Sequence, residues 1–102
     1  MDDWNEQGRQ LQEPPRFLFH GTAYQMMGAI NREGLRKMAR QYVHLSGDLY
    51  EARLAGRRAG LLVLLQVDAE QMHQDGFEFQ KSDNGTWLVD AVPPKYLKEI
   101  QP

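Results

Sequence analysis

The fold is decided by one apolar stretch of the sequence, Leu61-Leu62-Val63-Leu64-Leu65-Gln66-Val67. Only Gln66 interrupts this run. A stretch of this length and composition is typical of a strand that is buried on both faces, so it predicts the central strand of a sheet. It is far too short to span a bilayer.

Upstream of this strand, residues 16–20 predict a short first strand, in which Phe17 and Phe19 lie on one face and Leu18 and His20 on the other. Gly21 is expected to break that strand. Thr22 has the side chain of a good N-cap, which predicts a helix from about Ala23 to Glu33. Gly34 is expected to end the helix.

Residues 42–46 predict a second strand, in which His44 and Ser46 lie on the face opposite to the apolar side chains. Asp48 is expected to open a second helix that extends to about Ala59. This helix has a narrow face of small residues, and small side chains let a helix lie close to a sheet.

Downstream of the central strand, residues 68–76 predict a short turn or helix. Strands are predicted at residues 77–80 and 86–89, joined by Ser82-Asp83-Asn84-Gly85, because Asn-Gly is a strong hairpin signal. Pro93-Pro94 is expected to close the last strand. Mainly antiparallel strands with two main helices predict an α+β fold.

Length and composition limit the class of protein. The chain has 102 residues, 41% hydrophobic and 25% charged, which suits one compact domain. Residues 1–13 are interpreted as a polar leader, and residues 14–102 as the domain. Because the chain has no cysteine, disulfides, thiolate nucleophiles and cysteine-ligated metals are excluded. The acidic N-terminus is unlike a signal peptide, so we expect a cytoplasmic protein with no membrane partner.

Basic residues are concentrated in the middle of the chain. Residues 32–58 contain seven basic and three acidic residues, whereas the remainder contains five basic and eleven acidic ones. This asymmetry could attract a ligand that carries phosphate. Solvated helix surfaces would produce the same pattern, so charge alone leaves both interpretations open.

Two of the three histidines lie in matching contexts, His20-Gly21-Thr22 and His44-Leu45-Ser46. Each histidine lies within a predicted strand, and a residue with a hydroxyl side chain follows it two positions later. Gly21 would let a ligand approach the backbone closely, and Thr22 and Ser46 offer hydroxyl groups. The third histidine, His73, is interpreted as a surface residue.

Several kinds of chemistry are disfavoured by the sequence. Two histidines without a third ligand at a recognisable spacing do not make a zinc site, so no metal is expected. No serine lies in a nucleophile-elbow context, and the chain has no glycine-rich phosphate loop. The residues alone therefore predict a polar cleft with two histidines and several arginines, but no particular reaction.

An ordered series of motifs over roughly residues 14–97 resembles the ADP-ribosyltransferase lobe of the KptA-type RNA 2′-phosphotransferases. The series consists of Phe19-His20-Gly21-Thr22, Glu33-Gly34-Leu35, Met38, Arg40, Val43-His44-Leu45-Ser46, Asp48, Gly56, Arg58, Val67-Asp68-Ala69, Gly76, Phe79, Ser82, Asn84-Gly85, Trp87-Leu88, Val92-Pro93-Pro94 and Tyr96-Leu97.

The resemblance implies an ADP-ribosyltransferase-like split β-sandwich that holds NAD⁺ between two sheets. His20 would contact the ADP-ribose part of NAD⁺, the Gly21 backbone would hold the nicotinamide amide, and Arg58 would help to hold phosphates. Arg40 would bind the attacking phosphate, and His20 and His44 complete the expected catalytic set. The expected NAD⁺-binding residues are His20, Gly21, Thr22, His44, Ser46, Asp48 and Arg58.

The implied activity is NAD⁺-dependent ADP-ribosyl transfer to a phosphate of RNA. In the family, the RNA 2′-phosphate attacks NAD⁺, and a ribose hydroxyl then displaces the RNA to give a cyclic phosphate. The family normally carries an N-terminal RNA-binding lobe, whose motifs are missing from this sequence. The resemblance therefore implies the first transfer more directly than the release of RNA.

Two alternatives stay open at this point. A compact effector or toxin could use the same lobe on nucleic acid or protein, and it would then need a neutralising protein partner. A non-catalytic module could instead bind ligands that resemble ADP-ribose.

Overall fold

The computed structural model describes residues 10–101, except for the side chains of Gln10 and Ala59. Residues 1–9 of the predicted leader lie outside the described residues. The strands are β1 (Gln10–Leu11), β2 (Phe17–Ala23), β3 (Leu35–Arg36), β4 (Val43–Leu45), β5 (Leu62–Asp68), β6 (Gln80–Lys81), β7 (Trp87–Val89), β8 (Ala91–Val92) and β9 (Leu97–Ile100). The α-helices are α1 (Met27–Glu33), α2 (Leu49–Ala59) and α3 (Ala69–Gln74), and 3₁₀ turns lie at Tyr24–Met26 and Pro94–Tyr96.

The predicted central strand is confirmed as β5, the middle strand of an antiparallel sheet of order β2-β5-β9. Val63, Leu64, Leu65 and Val67 are all buried, as a strand covered on both faces requires. Leu61 lies just before the strand and is exposed.

A second antiparallel sheet has the order β1-β6-β7-β4. The predicted hairpin at its centre is confirmed, with Ser82 N donating to the Thr86 carbonyl at 2.9 Å and Gly85 in the left-handed region at φ 87°. The strand expected at residues 77–80 is shorter and begins only at Gln80, while Phe79 packs into the core. A third sheet of two short strands pairs β3 with β8.

The boundary predicted between the first strand and helix is wrong. Gly21 does not break β2, and Thr22 does not cap a helix, because seven residues of β2 pair continuously with β5, from Phe17 opposite Asp68 to Ala23 opposite Leu62. Thr22 is buried in this sheet. A 3₁₀ turn follows, and α1 starts at Met27 without a side-chain cap.

Other element ends agree with the sequence. Gly34 terminates α1 with φ 78°, and the Asp48 side chain caps α2 by accepting a hydrogen bond from Tyr50 N at 2.8 Å. The short turn or helix expected after the central strand is a helix, α3, which is present in addition to the two main helices α1 and α2 within residues 10–101.

The C-terminal end contains a strand that the sequence did not predict. Pro93-Pro94 does follow the end of β8, but the chain then continues through a 3₁₀ turn into β9, which pairs with β5 from Val67 opposite Leu97 to Leu64 opposite Ile100. Proline can end a strand locally, but the edge of β5 that β2 leaves open offers unpaired backbone groups, and these accept another strand.

One hydrophobic core joins the two larger sheets. It contains Leu18 of β2 and Val67 of β5 together with Leu45 of β4 and Val89 of β7. The fold is therefore α+β, with antiparallel sheets that share a core. Within residues 10–101, no helix is long and apolar enough to cross a membrane.

Candidate functional site

Within residues 10–101, one isolated antiparallel bridge joins the two larger sheets, between Phe19 of β2 and Ser46 just after β4. Phe19 N donates to the Ser46 carbonyl and Ser46 N to the Phe19 carbonyl, each at 2.8 Å. This pair brings the two histidine motifs side by side although His20 and His44 are 24 residues apart in the chain. The polar site that the sequence predicted is therefore assembled by one bridge between sheets.

His20 is held against the second motif by its ring. Its Nδ1 lies 3.1 Å from the carbonyl oxygen of His44, and since a carbonyl only accepts, Nδ1 carries the proton. Burial lowers the pKa of His20; the hydrogen bond to the His44 carbonyl opposes this shift, and the nearby Arg40 and His44 charges add to it. The neutral ring is therefore favoured, with Nε2 as an available acceptor.

His44 is the acceptor for an arginine. Arg40 Nη1 lies 2.9 Å from His44 Nδ1, and a guanidinium can only donate, so this nitrogen must be unprotonated. Burial lowers the pKa of His44, and the positive charge of Arg40 lowers it further. The two histidines thus favour opposite tautomers, with the proton on Nδ1 in His20 and on Nε2 in His44.

A cleft of about 860 Å³ surrounds these side chains, a size that suits a nucleotide-sized ligand. The predicted site residues that line it are His20, Gly21, Thr22, Arg40, His44, Ser46 and Arg58. Asp48 does not line it, because its carboxylate caps α2 instead. The ligand-contacting roles expected for these residues stay predictions.

Gly21 is required by packing between β2 and α2. A Cβ at this position would lie 1.7 Å from the Ala52 carbonyl oxygen and 2.9 Å from Gly56 N. Gly56 is equally restricted, since its Cβ would lie 2.2 Å from Leu62 Cδ1. The small face predicted for α2 therefore lets the helix lie directly on the strand. Close approach of a helix backbone accounts for this glycine without a ligand.

The cleft-facing stripe of α2 was missed by the sequence analysis. Glu51, Leu54, Ala55 and Arg58 all line the cleft, a spacing of i, i+3, i+4 and i+7 that defines one helix face. That spacing was visible in the sequence. Only Arg58 was singled out because the other three lie outside the recognised motifs.

The other cations of the cleft lie at the end of β3 and just after it. Arg36 pairs with Glu33 at 2.9 Å and Lys37 with Asp90 at 3.2 Å, both near the surface. Within residues 10–101, neither Arg40 nor Arg58 forms an ion pair with a carboxylate. These two arginines are therefore the cleft cations whose charge is not offset by a neighbouring acid.

Arg40 is positioned by a tight turn that the sequence did not predict. Arg40 N donates to the Lys37 carbonyl at 2.8 Å, and Met38 within the turn has φ 54°, the one left-handed non-glycine residue among those described. Met38 is 78% exposed and lines the cleft. An unfavourable conformation of this kind persists where the surrounding structure imposes it, and such positions concentrate at ligand sites.

Among the described residues there is no group of three or more histidine, aspartate or glutamate side chains that could hold a metal ion.

Comparison with known proteins identifies the family. The model of the RNA 2′-phosphotransferase, Tpt1 / KptA family matches residues 3–91. The chain belongs to this family. The protein named "Probable RNA 2′-phosphotransferase" from Streptomyces griseus is 53% identical over 85 residues, covering 83% of this chain and 45% of that protein. Proteins of the same name from Pseudomonas fluorescens and Trichormus variabilis are 44% identical over 91 residues and 52% over 88 residues, respectively.

The coverage of these relatives is partial. The matches cover 89% and 86% of this chain but only 50% and 48% of the Pseudomonas and Trichormus proteins. The chain therefore spans about half the length of the curated relatives it matches. The resemblance stated from the motifs is confirmed at the level of the family, and the comparisons support neither the effector or toxin hypothesis nor the non-catalytic one.

Proposed function

We propose that this chain binds NAD⁺ in the cleft and transfers ADP-ribose to a phosphate of RNA, the first step of RNA 2′-phosphate removal. One observation carries the proposal: the Phe19–Ser46 bridge places both histidine motifs in one cleft, with Arg40 hydrogen-bonded to His44. Family membership adds the phosphorylated RNA as the substrate class.

The residues of the cleft fit NAD⁺. Its volume suits a dinucleotide in part or whole, and Arg58 can hold phosphate oxygens of NAD⁺ while Arg40 is left for the acceptor phosphate. His20 offers a neutral Nε2 acceptor, and Thr22 and Ser46 offer hydroxyls to ribose. We extend the proposal to the fold: the two sheets that share a core form the split β-sandwich of ADP-ribosyltransferases.

NAD⁺ would supply an activated bond between nicotinamide and ribose, because nicotinamide leaves as a neutral molecule and needs no proton. An oxygen of the RNA phosphate forms the new bond to the anomeric carbon while the bond to nicotinamide breaks. The arginine fork holds that phosphate and offsets its charge, and it stays protonated throughout. Positioning of the two reactants therefore supplies most of the acceleration.

Release of RNA would need a second step. The neighbouring ribose hydroxyl attacks the phosphorus atom and loses its proton, and the RNA 2′-oxygen leaves and takes up a proton. The products are a cyclic ADP-ribose phosphate and RNA with a 2′-hydroxyl. No residue of the described cleft is assigned to this step.

The proposal is tested by incubating the protein with NAD⁺ and one of three RNAs of the same sequence. The first carries an internal 2′-phosphate, the second a terminal phosphate and the third no added phosphate. Mass spectrometry of the RNA and chromatography of nicotinamide report the two steps. We expect nicotinamide release with the first RNA and none with the third.

The outcomes separate the possible reactions. A stable gain of one ADP-ribose indicates a one-step transferase, and loss of the 2′-phosphate indicates the complete reaction. Transfer to the terminal phosphate alone would mean that the acceptor is a terminal phosphate and not the 2′-phosphate. If none of the RNAs leads to nicotinamide release, the proposed function is wrong.

A further inference from the structure

The contact between Arg40 and His44 restricts what His44 can do. Arg40 Nη1 lies 2.9 Å from His44 Nδ1, and the guanidinium has five donors and no acceptor. The contact exists only while His44 Nδ1 keeps its lone pair. A protonated His44 would lose the hydrogen bond and would place a second positive charge against Arg40.

Arg40 has little else to hold its side chain. The residue is exposed, and its backbone N is tied to the Lys37 carbonyl at 2.8 Å by the turn that contains Met38. Within residues 10–101 the guanidinium has no carboxylate partner, so its only fixed polar contact there is the one to His44. Since Nη1 is used by His44, the edge formed by Nε and Nη2 stays available for bidentate contact with a phosphate.

We propose that His44 is a positioning residue, whose neutral Nδ1 holds Arg40 so that the Nε–Nη2 edge of the guanidinium faces the acceptor phosphate. The identity of that phosphate rests on the proposed function, whereas the contact itself does not. This role differs from a direct contact between His44 and the ribose of NAD⁺, for which its Nε2–H would be the group used.

The surroundings of His44 favour the neutral ring. The charged and titratable groups that face His44 are Arg40 from the preceding loop and His20 from β2. The residue paired with His44 on the neighbouring strand β7 is the apolar Leu88. Burial lowers the pKa of His44, and the charge of Arg40 lowers it further. The Arg40 contact is therefore retained at neutral pH and lost when the solution is acidified through the pKa of His44.

Two amide substitutions separate the roles of the two ring nitrogens. In His44→Asn the side-chain oxygen occupies nearly the position of Nδ1 and can accept from Arg40, but nothing replaces Nε2. In His44→Gln the amide reaches the position of Nε2 and leaves Nδ1 unreplaced. His44→Leu removes both groups, and His73→Asn on α3, exposed and outside the cleft, is the control for losing a histidine.

Transfer to the 2′-phosphorylated RNA is measured for these variants between about pH 5 and pH 9, with NAD⁺ affinity determined by calorimetry. A displaced catalytic group costs about 100-fold in rate. We expect that loss in kcat/KM for the RNA in His44→Gln and His44→Leu, with NAD⁺ affinity within about threefold of wild type. His44→Asn should keep the rate within about tenfold and lose the fall in rate at acidic pH. A Gln variant that is more active than the Asn variant, or equal losses in both, overturns the proposal.

A second measurement does not depend on activity. In ¹⁵N-labelled protein at neutral pH, the ring of His44 should be the tautomer with its proton on Nε2, and Arg40→Ala should raise the pKa of His44. A proton on Nδ1, or a pKa that does not rise, overturns the positioning role even in an active enzyme. If these NMR results hold while the wild type releases no nicotinamide, the proposed function alone has failed.

Discussion

Arg40 is the residue on which the proposed chemistry depends most, because within residues 10–101 it has no acidic partner and is held at the cleft by a turn and one histidine. Its contribution should lie in holding the acceptor phosphate and in offsetting charge, both of which act on transfer rather than on NAD⁺ binding. The neighbouring cations Arg36 and Lys37 are already paired with acids.

Arg40→Ala should reduce the rate of transfer by about 100- to 1,000-fold, as the loss of a preorganised charged donor does. NAD⁺ affinity should stay within about threefold of wild type. Nicotinamide release and calorimetric titration with NAD⁺ measure the two quantities. Arg32→Ala on α1, which lies outside the cleft lining, serves as the control. Strongly weakened NAD⁺ binding would assign Arg40 to NAD⁺ instead of to the acceptor.

Arg57 and Arg58 are adjacent on α2 and both exposed, but only Arg58 lines the cleft. Arg58→Ala should therefore weaken binding of ADP-ribose by about tenfold, because a hydrogen bond to a charged group contributes about 1.5 kcal/mol or more. Arg57→Ala should leave the affinity unchanged. Isothermal titration with ADP-ribose compares the two. Equal losses of affinity in the two variants would mean that Arg58 acts only through the overall positive charge of the helix and not through a contact with the ligand.

His20 should make stability depend on pH. Because burial lowers its pKa in the folded state, the unfolded chain binds more protons below about pH 6.5, the ordinary pKa of histidine. The contribution of His20 to the free energy of unfolding is thus fully present above that pH, and it is lost as the pH falls toward the pKa of His20 in the folded state.

His20→Asn keeps a donor near the Nδ1 position and removes the titration. The free energy of unfolding, measured with urea at about pH 8 and about pH 5.5, should fall less on acidification in this variant than in wild type. Carboxylates titrate in both proteins and cancel in the difference. Identical pH dependence of the two proteins would show that His20 titrates normally in the folded state.

At the scale of the elements, the contact between β2 and α2 determines the shape of the cleft. Both elements supply lining residues, and they meet through Gly21 and Gly56 with no side chain between them. All seven residues of β2 are paired with β5, so an atom added at Gly21 has to be accommodated by movement of α2.

Gly21→Ala should destabilise the fold by about 3 kcal/mol, since the new methyl would overlap the Ala52 carbonyl oxygen and force α2 away. Gly28→Ala is the matched control: it lies in α1, where the nearest atom to a new Cβ is the Arg32 side chain at 3.7 Å. Gly28→Ala should stabilise the fold by about 0.5 kcal/mol, because alanine is a better helix former than glycine. Urea unfolding of both variants measures the difference, and a neutral Gly21→Ala would contradict the close packing described.

At the scale of the whole molecule, charge is separated in space. The cleft lining contains four basic and two acidic residues, a net charge of +2, in a chain whose net charge is −2. The basic middle segment found in the sequence is therefore directed in part at the cleft. Such a field attracts anionic ligands although the protein as a whole is acidic.

Binding of phosphorylated RNA should weaken with salt in proportion to the phosphates it engages. With Arg40 as the cation assigned to the acceptor phosphate, the slope of log affinity against log salt concentration should be about −0.7 for a single strand. Fluorescence anisotropy at several potassium chloride concentrations measures it, and Arg57→Ala should not change the slope. An affinity that is indifferent to salt would contradict electrostatic capture by the cleft.

The local sequence was sufficient to predict an element wherever the formation of that element depends on its own residues. The apolar run that became β5, the Asn84-Gly85 hairpin, the Asp48 cap and the Gly34 helix stop all follow from local hydrophobicity and backbone preference, and the structure confirms them. Family membership was also readable, because the ordered motifs over most of the chain carry it.

Tertiary structure decided the rest, because hydrogen bonds between distant segments override local preference. Pairing with β5 carried β2 through Gly21 and Thr22, and the open edge of β5 drew residues 97–100 into β9 beyond the prolines. The candidate site shows the same division. The sequence by itself singled out His20 and His44, and the family resemblance carried by its motifs added Arg40. Only the folded chain, through the Phe19–Ser46 bridge and the packing of α2 on Gly21, brought them into one cleft and made His44 the acceptor for Arg40.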